Sequence, residues 1–233
     1  MRRGHALRRF WTLVGSAALL CLLTLPSQRA DATIVLKLDV DGLTTSADAI
    51  VVGQVSSLSS RWEGKRIVTE IKVRVAVPIM GRHDKGAELV VTVLGGRVGD
   101  LAQRVPGVTH FKRGEQVLLF LSRAKASTAL RVVGLAQGKY NIVRGPDEKL
   151  WAARDLSELS LAAVVKEGDK KVARITEEAA EDLGAMPLSR LLSEVVEGMR
   201  AVAVPVRSEL FESFGEDLSK DLDLPGLDIR GER

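Results

Sequence analysis

Few residues of this chain have side chains that catalyse reactions or bind metal ions, and they form no familiar cluster. Beyond residue 32 the histidines are His83 and His110, which stand far apart in polar stretches. No His-x-x-x-His pair and no Gly-x-Ser-x-Gly elbow occurs in the sequence. Cys21 is the only cysteine. These residue types predict no metal site and no cofactor, and we expect a protein that is not an enzyme.

The residues best suited to recognition are cationic and lie in the glycine-rich stretch 95–114. This stretch contains Arg97, Arg104 and His110, followed by Lys112 and Arg113. A glycine-rich turn after a strand binds phosphate through backbone N–H groups when a helix follows directly, but here Pro106 soon interrupts the chain. The composition therefore predicts a long loop whose cations form a binding rim on a rigid scaffold.

A second candidate contact residue is Trp62, which stands beside Arg61 at the tip of a predicted hairpin. An exposed tryptophan at such a tip is suited to contact a sugar or a protein. It is equally suited to fold back as a lid on the end of the domain. The sequence leaves both interpretations open.

Residues 1–32 predict where the protein works. Arginines in the first nine residues precede the uncharged apolar run 11–25, and the segment ends in Ala30-Asp31-Ala32. A basic start, a short apolar run and an Ala-x-Ala site are typical of a secretory signal peptide. We expect cleavage after Ala32, with Thr33 as the first mature residue. The protein is then exported, to the periplasm or out of the cell, with no membrane contact after cleavage.

Two alternatives to cleavage remain open at this stage. The apolar run could stay as a membrane anchor, although it is shorter than the ~20 residues that span a bilayer. Cys21 could carry a lipid, although Leu20 stands where a lipoprotein signal has a small residue. Without residues 1–32 the chain has no cysteine, so its core must form without disulfide bonds.

The charge of the mature chain does not favour a nucleic-acid partner. The whole chain has 34 basic and 30 acidic residues, but residues 1–32 hold five of the arginines and one aspartate. The remaining residues balance at 29 of each sign, so the net charge is zero. Residues 205–233 form an acidic tail with eight acidic and four basic residues, which we expect to be solvated and disordered.

Apolar residues alternate along much of the mature chain, which predicts a mainly β protein. Residues 48–59 and 66–79 are expected to form a long hairpin, because their valines and isoleucines recur at every second position. Residues 39–47 are expected to form a turn or one helical turn. Further strands are predicted at 33–38, 88–94, 115–122, 130–135, 139–143 and 149–152.

The C-terminal part of the chain has a different pattern. Residues 154–186 are rich in Glu, Lys and Ala and are expected to connect two elements, and 162–165 could pair with 171–175. Residues 187–204 are predicted to form an amphipathic helix, which begins at Pro187. One face of this helix is apolar and is expected to dock on the barrel or on a partner; it comprises Leu188, Leu191, Leu192, Val195, Val196 and Met199.

The order of the strands in residues 33–153 predicts a small Greek-key barrel of the OB type. Four segments in this order resemble the netrin-like domain, which is the OB barrel of the tissue inhibitors of metalloproteinases. They are the stretch Ser46–Val55, the strand ending in Pro78-Ile79-Met80-Gly81, the strand 88–93 and the run Phe111–Leu121. The chain as a whole also resembles a family of uncharacterised exported proteins of Gram-negative bacteria. The resemblance covers roughly residues 33–143.

The lack of catalytic motifs and the cationic loop together favour a binding function that does not involve catalysis. We expect recognition of a protein partner through Thr33 and Ile34 of the first strand, Trp62 of the hairpin tip, and Arg97, Arg104 and His110 of the loop. In the animal inhibitors an N-terminal cysteine binds the zinc of the protease. Thr33 stands at that place here, so one alternative is an inhibitor of an exported metalloprotease. The other alternative is an envelope structural or assembly protein that associates through the helix 187–204.

Overall fold

The chain is mainly β, as the alternating pattern of apolar residues predicts. A computed structural model describes residues 33–123, 129–145, 148–167, 170–175 and 185–202. The predicted signal peptide and acidic tail lie outside these residues. The strands are β1 (Thr33–Leu36), β2 (Ala49–Glu63), β3 (Arg66–Met80), β4 (Glu88–Leu94), β5 (Gly96–Val98), β6 (Leu101–Gln103), β7 (Gln116–Arg123), β8 (Leu130–Val132), β9 (Lys139–Arg144), β10 (Leu150–Ala153), β11 (Leu159–Glu167), β12 (Lys170–Ile175) and β13 (Met186–Pro187).

Five strands of the main sheet close into a ring. The order of this sheet is β13-β10-β9-β7-β2-β3-β4-β8, and β8 also pairs with β7. The predicted long hairpin is formed by β2 and β3, which pair from Ile50↔Met80 to Glu63↔Arg66. Within the ring β4 and β8 are parallel, whereas the other neighbours are antiparallel.

The ring encloses one apolar core, and a second core covers its outer face. Alternate residues of β7 explain this division: Val117 and Leu119 face into the ring, whereas Leu118 and Phe120 face outwards. A strand that is buried on both faces needs a continuous apolar run, which is what residues 117–121 provide. The strands β2 and β7 therefore link the two cores.

Two helices cover the outer core. The helix α1 (Val40–Ser46) is capped by Asp39, whose side chain accepts a hydrogen bond from the Gly42 backbone N–H at 2.7 Å. This helix replaces the turn or single helical turn that was expected there. The helix α2 (Leu188–Ala201) lies against α1, β10 and β13. Within the described residues, neither helix is long and apolar enough to cross a bilayer.

A separate three-stranded sheet has the order β1-β11-β12. The strands β11 and β12 pair as the sequence suggested for 162–165 and 171–175. The first strand, β1, runs parallel to β11, with Thr33 opposite Leu159. One sheet thus contains both the start of the predicted barrel domain and part of the predicted connecting segment 154–186. The sequence pattern did not indicate this pairing.

The stretch 95–114 is more ordered than the expected loop, because it contains a small hairpin of β5 and β6. Its backbone passes over the β2–β3 hairpin, where the Ser60 and Thr69 hydroxyl groups lie against Gly96. A side chain at residue 96 would collide with both hydroxyl groups, and the φ angle of +135° there also favours glycine. The glycines of this stretch therefore permit a close approach between two hairpins.

Candidate functional site

The candidate site is organised around the carboxylate of Glu158, at the turn before β11. An oxygen of this carboxylate, Oε1, forms an ion pair with Arg104 and lies 3.5 Å from Nε2 of His110. The other oxygen, Oε2, accepts a hydrogen bond from the Gly107 backbone N–H at 3.3 Å. Glu158 thus holds three positions of the segment 104–110, which we call the rim loop.

The same group of contacts includes Thr33. Its hydroxyl donates a hydrogen bond to the Pro106 carbonyl at 2.9 Å, and its backbone N–H donates to the Glu158 carbonyl at 3.4 Å. Thr33, which lies far from Arg104 and His110 in the sequence, is therefore joined to them through Glu158. The backbone nitrogen that would bind zinc in the inhibitor hypothesis points towards β11.

The side chains of Arg104 and His110 stay accessible although Glu158 contacts both of them. The side chains of Arg104 and His110 are 73% and 69% exposed. Hydrogen bonding and the charge of Arg104 hold the pKa of the Glu158 carboxyl below its ordinary value. Glu158 therefore stays ionised to a lower pH than an ordinary glutamate does.

A buried ion pair supports the rim loop from below. Nζ of Lys139 donates hydrogen bonds to Oε1 of Glu115 at 2.8 Å and to the His110 carbonyl at 2.7 Å, and it lies 4.8 Å from the centre of the Phe111 ring. The Lys139 side chain is only 6% exposed, and this burial lowers its pKa despite the contact with Glu115. The base of the rim loop is thereby attached to β9.

A cleft of about 130 Å³ lies between the rim loop and β9. Its walls include Lys139, Glu115, Asp155 and Glu158, so charges of both signs face the same small space. Hydrogen bonds from Ser157 lower the pKa of Asp155. Such a cleft can exchange hydrogen bonds with a polar group of a partner. Among the described residues, the histidine and carboxylate side chains form no group of three that could hold a metal ion.

The two hairpins form a second exposed area at the end of β2 and β3. Trp62 lies opposite Ile67 near the tip and is 47% exposed, so it is not folded back as a complete lid. The exposed Arg97 follows Gly96, and its backbone N–H donates to the Ser60 hydroxyl at 3.4 Å. The Gln103 side chain accepts a hydrogen bond from the Ile67 N–H at 2.7 Å, which fixes the β5–β6 hairpin on β3.

Ile34 and Leu36 extend the exposed apolar surface along β1, where they are 61% and 53% exposed. The outer edge of β1 is partly occupied by the buried side-chain amide of Gln137. This amide donates to the Leu36 carbonyl at 3.0 Å and accepts from the Leu38 N–H at 2.8 Å. Beyond residue 35, the Gln137 side chain therefore prevents a strand of another protein from pairing with this edge of β1.

The apolar face of α2 lies in the outer core of the same chain. All six residues proposed for docking are buried: Leu188, Leu191, Leu192, Val195, Val196 and Met199. Gly198 is also buried, and a Cβ atom there would stand 2.7 Å from Oδ1 of Asp41 in α1. The helix therefore packs closely on its own chain, and this face cannot contact a partner while it is packed.

Sequence reasoning missed the residues that organise the site, namely Glu158, Lys139 and Glu115. Glu158 stands in a segment rich in acidic and basic residues, where one glutamate is not distinguishable from another. Its partner Arg104 lies 54 positions away, so no local pattern connects them. For Lys139 the sequence held one indication, since this lysine opens the short strand β9, in which Tyr140 and Ile142 are buried.

Comparison of the chain with protein-family models, with curated proteins and with solved structures found no match.

Proposed function

We propose that this chain is an exported, non-catalytic binding module that recognises a protein partner. The observation that carries the proposal is the clamp formed by Glu158. It joins the rim loop to β1 and leaves the side chains of Arg104 and His110 largely exposed. Groups that are already ordered lose little conformational entropy on binding, so a held rim favours recognition.

The proposed contact surface combines this rim with the two hairpins and β1. Its exposed apolar residues include Trp62, Leu101 and Ile34, and it also contains the exposed Arg97 and Arg104. Aromatic residues and arginines are enriched at protein–protein interfaces. A partner that contacts this surface would bury apolar area and pair with at least one arginine.

The proposed fold is an OB barrel of the netrin-like type. The ring order β2-β3-β4-β8-β7, with a single parallel pair between β4 and β8, supports this assignment. The long opening hairpin and the helix that packs outside the ring are consistent with it. Export is proposed from the pattern of residues 1–32, with cleavage between Ala32 and Thr33.

The experiment is a crosslinking capture from envelope and medium fractions of the source organism. The bait is the protein that begins at Thr33, compared with the variants Trp62→Ala, Arg97→Ala and Arg104→Ala. Each variant is expected to capture less of the same partner, while thermal melting shows that the domain is still folded. The matched control is Arg82→Ala, which changes an exposed arginine beyond the opposite end of β3.

Capture that is equal for the three variants and for the parent would reject the proposed contact surface. Capture of no protein by any bait would reject recognition of a protein partner in these fractions. A partner that is released as a chemically altered product would contradict the non-catalytic part of the proposal. A mass spectrum of the recovered partner distinguishes this last outcome.

A further inference from the structure

The ring of strands is only loosely closed between β4 and β8. The two strands share a single paired position, Val91↔Leu130. Beyond it, Thr92–Leu94 pair only with β3 and Arg131–Val132 pair only with β7. Each of these short stretches therefore has one edge that no described strand occupies. Unoccupied strand edges present backbone N–H and C=O groups to an added segment.

A cleft of about 180 Å³ lies at this opening. We call the apolar part of its lining, which includes Val68, Leu94 and Val132, the floor; Val108 and Thr109 of the rim loop also line the cleft. Small-molecule sites usually enclose ~300–1,000 Å³, so this cleft is small for a cofactor. Its volume is suited to one large apolar side chain. Leu94 is 39% exposed at the floor, so an inserted side chain would remove apolar surface from water.

Two arginines stand on the walls of this cleft, Arg66 at the start of β3 and Arg131 in β8. Both are exposed, and in the part of the chain that the structure describes neither side chain has a carboxylate partner. The glutamate at the cleft, Glu63, is already bonded to Arg61 at 3.2 Å. Guanidinium groups bind carboxylates with two parallel hydrogen bonds, so this pair favours an acidic occupant.

We propose that the cleft between β4 and β8 docks an extended acidic segment of the partner protein. The segment inserts one apolar side chain onto the floor and pairs its neighbouring carboxylates with Arg66 and Arg131. Its main chain lies along the edge of β4 that no described strand occupies. The proposal rests on the proposed function and adds the chemistry of the partner. The free strand edges favour a polypeptide over a lipid surface, because an acyl chain has no groups to pair with them.

The test measures the binding of synthetic peptides to the full mature chain by calorimetry at low salt. The probe is a blocked heptapeptide, Gly-Thr-Glu-Leu-Glu-Thr-Gly, and the comparison peptides replace both glutamates by glutamine or the leucine by serine. The double variant Arg66→Gln/Arg131→Gln is expected to raise the Kd of the probe about tenfold. Arg82→Gln is the matched control and is expected to leave the Kd unchanged.

Three results would overturn the inference. One is a probe that does not bind, and another is equal affinity for the acidic and the glutamine peptides. The third is that the parent binds phosphatidylglycerol vesicles but not the probe, and that the double variant no longer binds the vesicles. This result would mean that the two arginines contact a lipid surface. Thermal melting of each variant verifies that the fold is retained.

Failure of this inference is distinguishable from failure of the proposed function. Suppose that the double variant captures as much partner as the parent does, whereas Trp62→Ala and Arg97→Ala capture less. The proposed binding function is then supported, and the cleft does not contribute to it. If the probe binds as expected but no variant of the rim affects capture, the cleft stands and the proposed contact surface is wrong.

Discussion

At the scale of single residues, Glu158 is the group whose chemistry the site depends on most. Its pKa lies below the ordinary value of 4.5, chiefly because of the hydrogen bond from Arg104. A carboxyl whose pKa is depressed by folding stabilises the folded state fully above its ordinary pKa. That contribution is lost as the pH falls through the folded value. The attachment of the rim loop is therefore expected to weaken under acid conditions.

The prediction is that the Gly107 N–H is protected from exchange at neutral pH, and that its protection factor, the ratio of the intrinsic to the observed exchange rate, falls as the pH drops below about 4.5. The variant Glu158→Gln is expected to have a lower protection factor at neutral pH and to lose this dependence on pH. The amide of Val52, in the core strand β2, serves as the internal control. Equal exchange at Gly107 in the parent and in the variant would show that Glu158 does not hold the rim loop.

Tyr140 is a buried residue for which folding has a cost. Its side chain is 1% exposed, and within the described residues its hydroxyl has no hydrogen-bond partner. Its ring lies 4.7 Å from the guanidinium carbon of Arg154. Burial raises the pKa of Tyr140 from 10.0 to about 12. Because ionisation is more difficult in the folded state than in the unfolded state, this residue lowers stability progressively as the pH rises from 10 towards 12, and this effect is absent below pH 10.

We therefore predict that Tyr140→Phe leaves stability at pH 7 unchanged or increases it by about 1 kcal/mol, because it removes a buried hydroxyl without a partner. The variant is also expected to lose part of the alkaline destabilisation between pH 10 and 12. Urea unfolding across this pH range measures both effects. A loss of more than about 2 kcal/mol at pH 7 would mean that the hydroxyl has a bonding role.

At the scale of the elements, a substitution in α2 can test whether this C-terminal helix stabilises its own chain or joins copies of the protein. Leu192 is 3% exposed in the outer core. Leu192→Ala is expected to lower the free energy of unfolding by about 3 kcal/mol without a change of molecular size in solution. Glu197→Ala, on the exposed face of the same helix, is the control. A change of size with unchanged stability would instead support the assembly hypothesis.

The elements also illustrate what the sequence can and cannot predict. The alternating valines of residues 67–77 and the stripe of α2 predict a strand and a helix, because each pattern is local and one face is buried. The β5–β6 hairpin was missed, since its stability comes from contacts of Gly96 and Gln103 with the distant β2–β3 hairpin. The parallel pairing of β1 with β11 joins segments more than a hundred residues apart, which a local pattern does not encode.

The same distinction holds for the site. Arg104, His110 and Thr33 were proposed from their type and position, and the structure brings them together at Glu158. Glu158 itself and the pair Lys139–Glu115 were not predicted, because a charged residue that is buried by tertiary contacts resembles a surface charge in the sequence. Whether the grouped residues bind a partner stays a prediction.

At the scale of the whole molecule, the proposed start of the mature chain at Thr33 distinguishes two modes of binding. The Thr33 backbone nitrogen is directed at the Glu158 carbonyl, 3.4 Å away, and β1 pairs with β11 from this residue onwards. A metal ligand needs a free amine that projects from the surface, so this arrangement disfavours inhibition through Thr33. A partner that binds through the rim loop and the hairpins does not need that amine.

We therefore predict that an extra alanine before Thr33 leaves capture of the partner unchanged. The measurement compares two baits, one that begins at Thr33 and one that begins with the added alanine, in the same envelope and medium fractions. Mass spectrometry of the protein recovered from the source organism first tests the proposed cleavage between Ala32 and Thr33. If the added residue abolishes the capture of a metalloprotease, the amine of Thr33 is the binding group. The rim would then support the N-terminus rather than contact the partner itself.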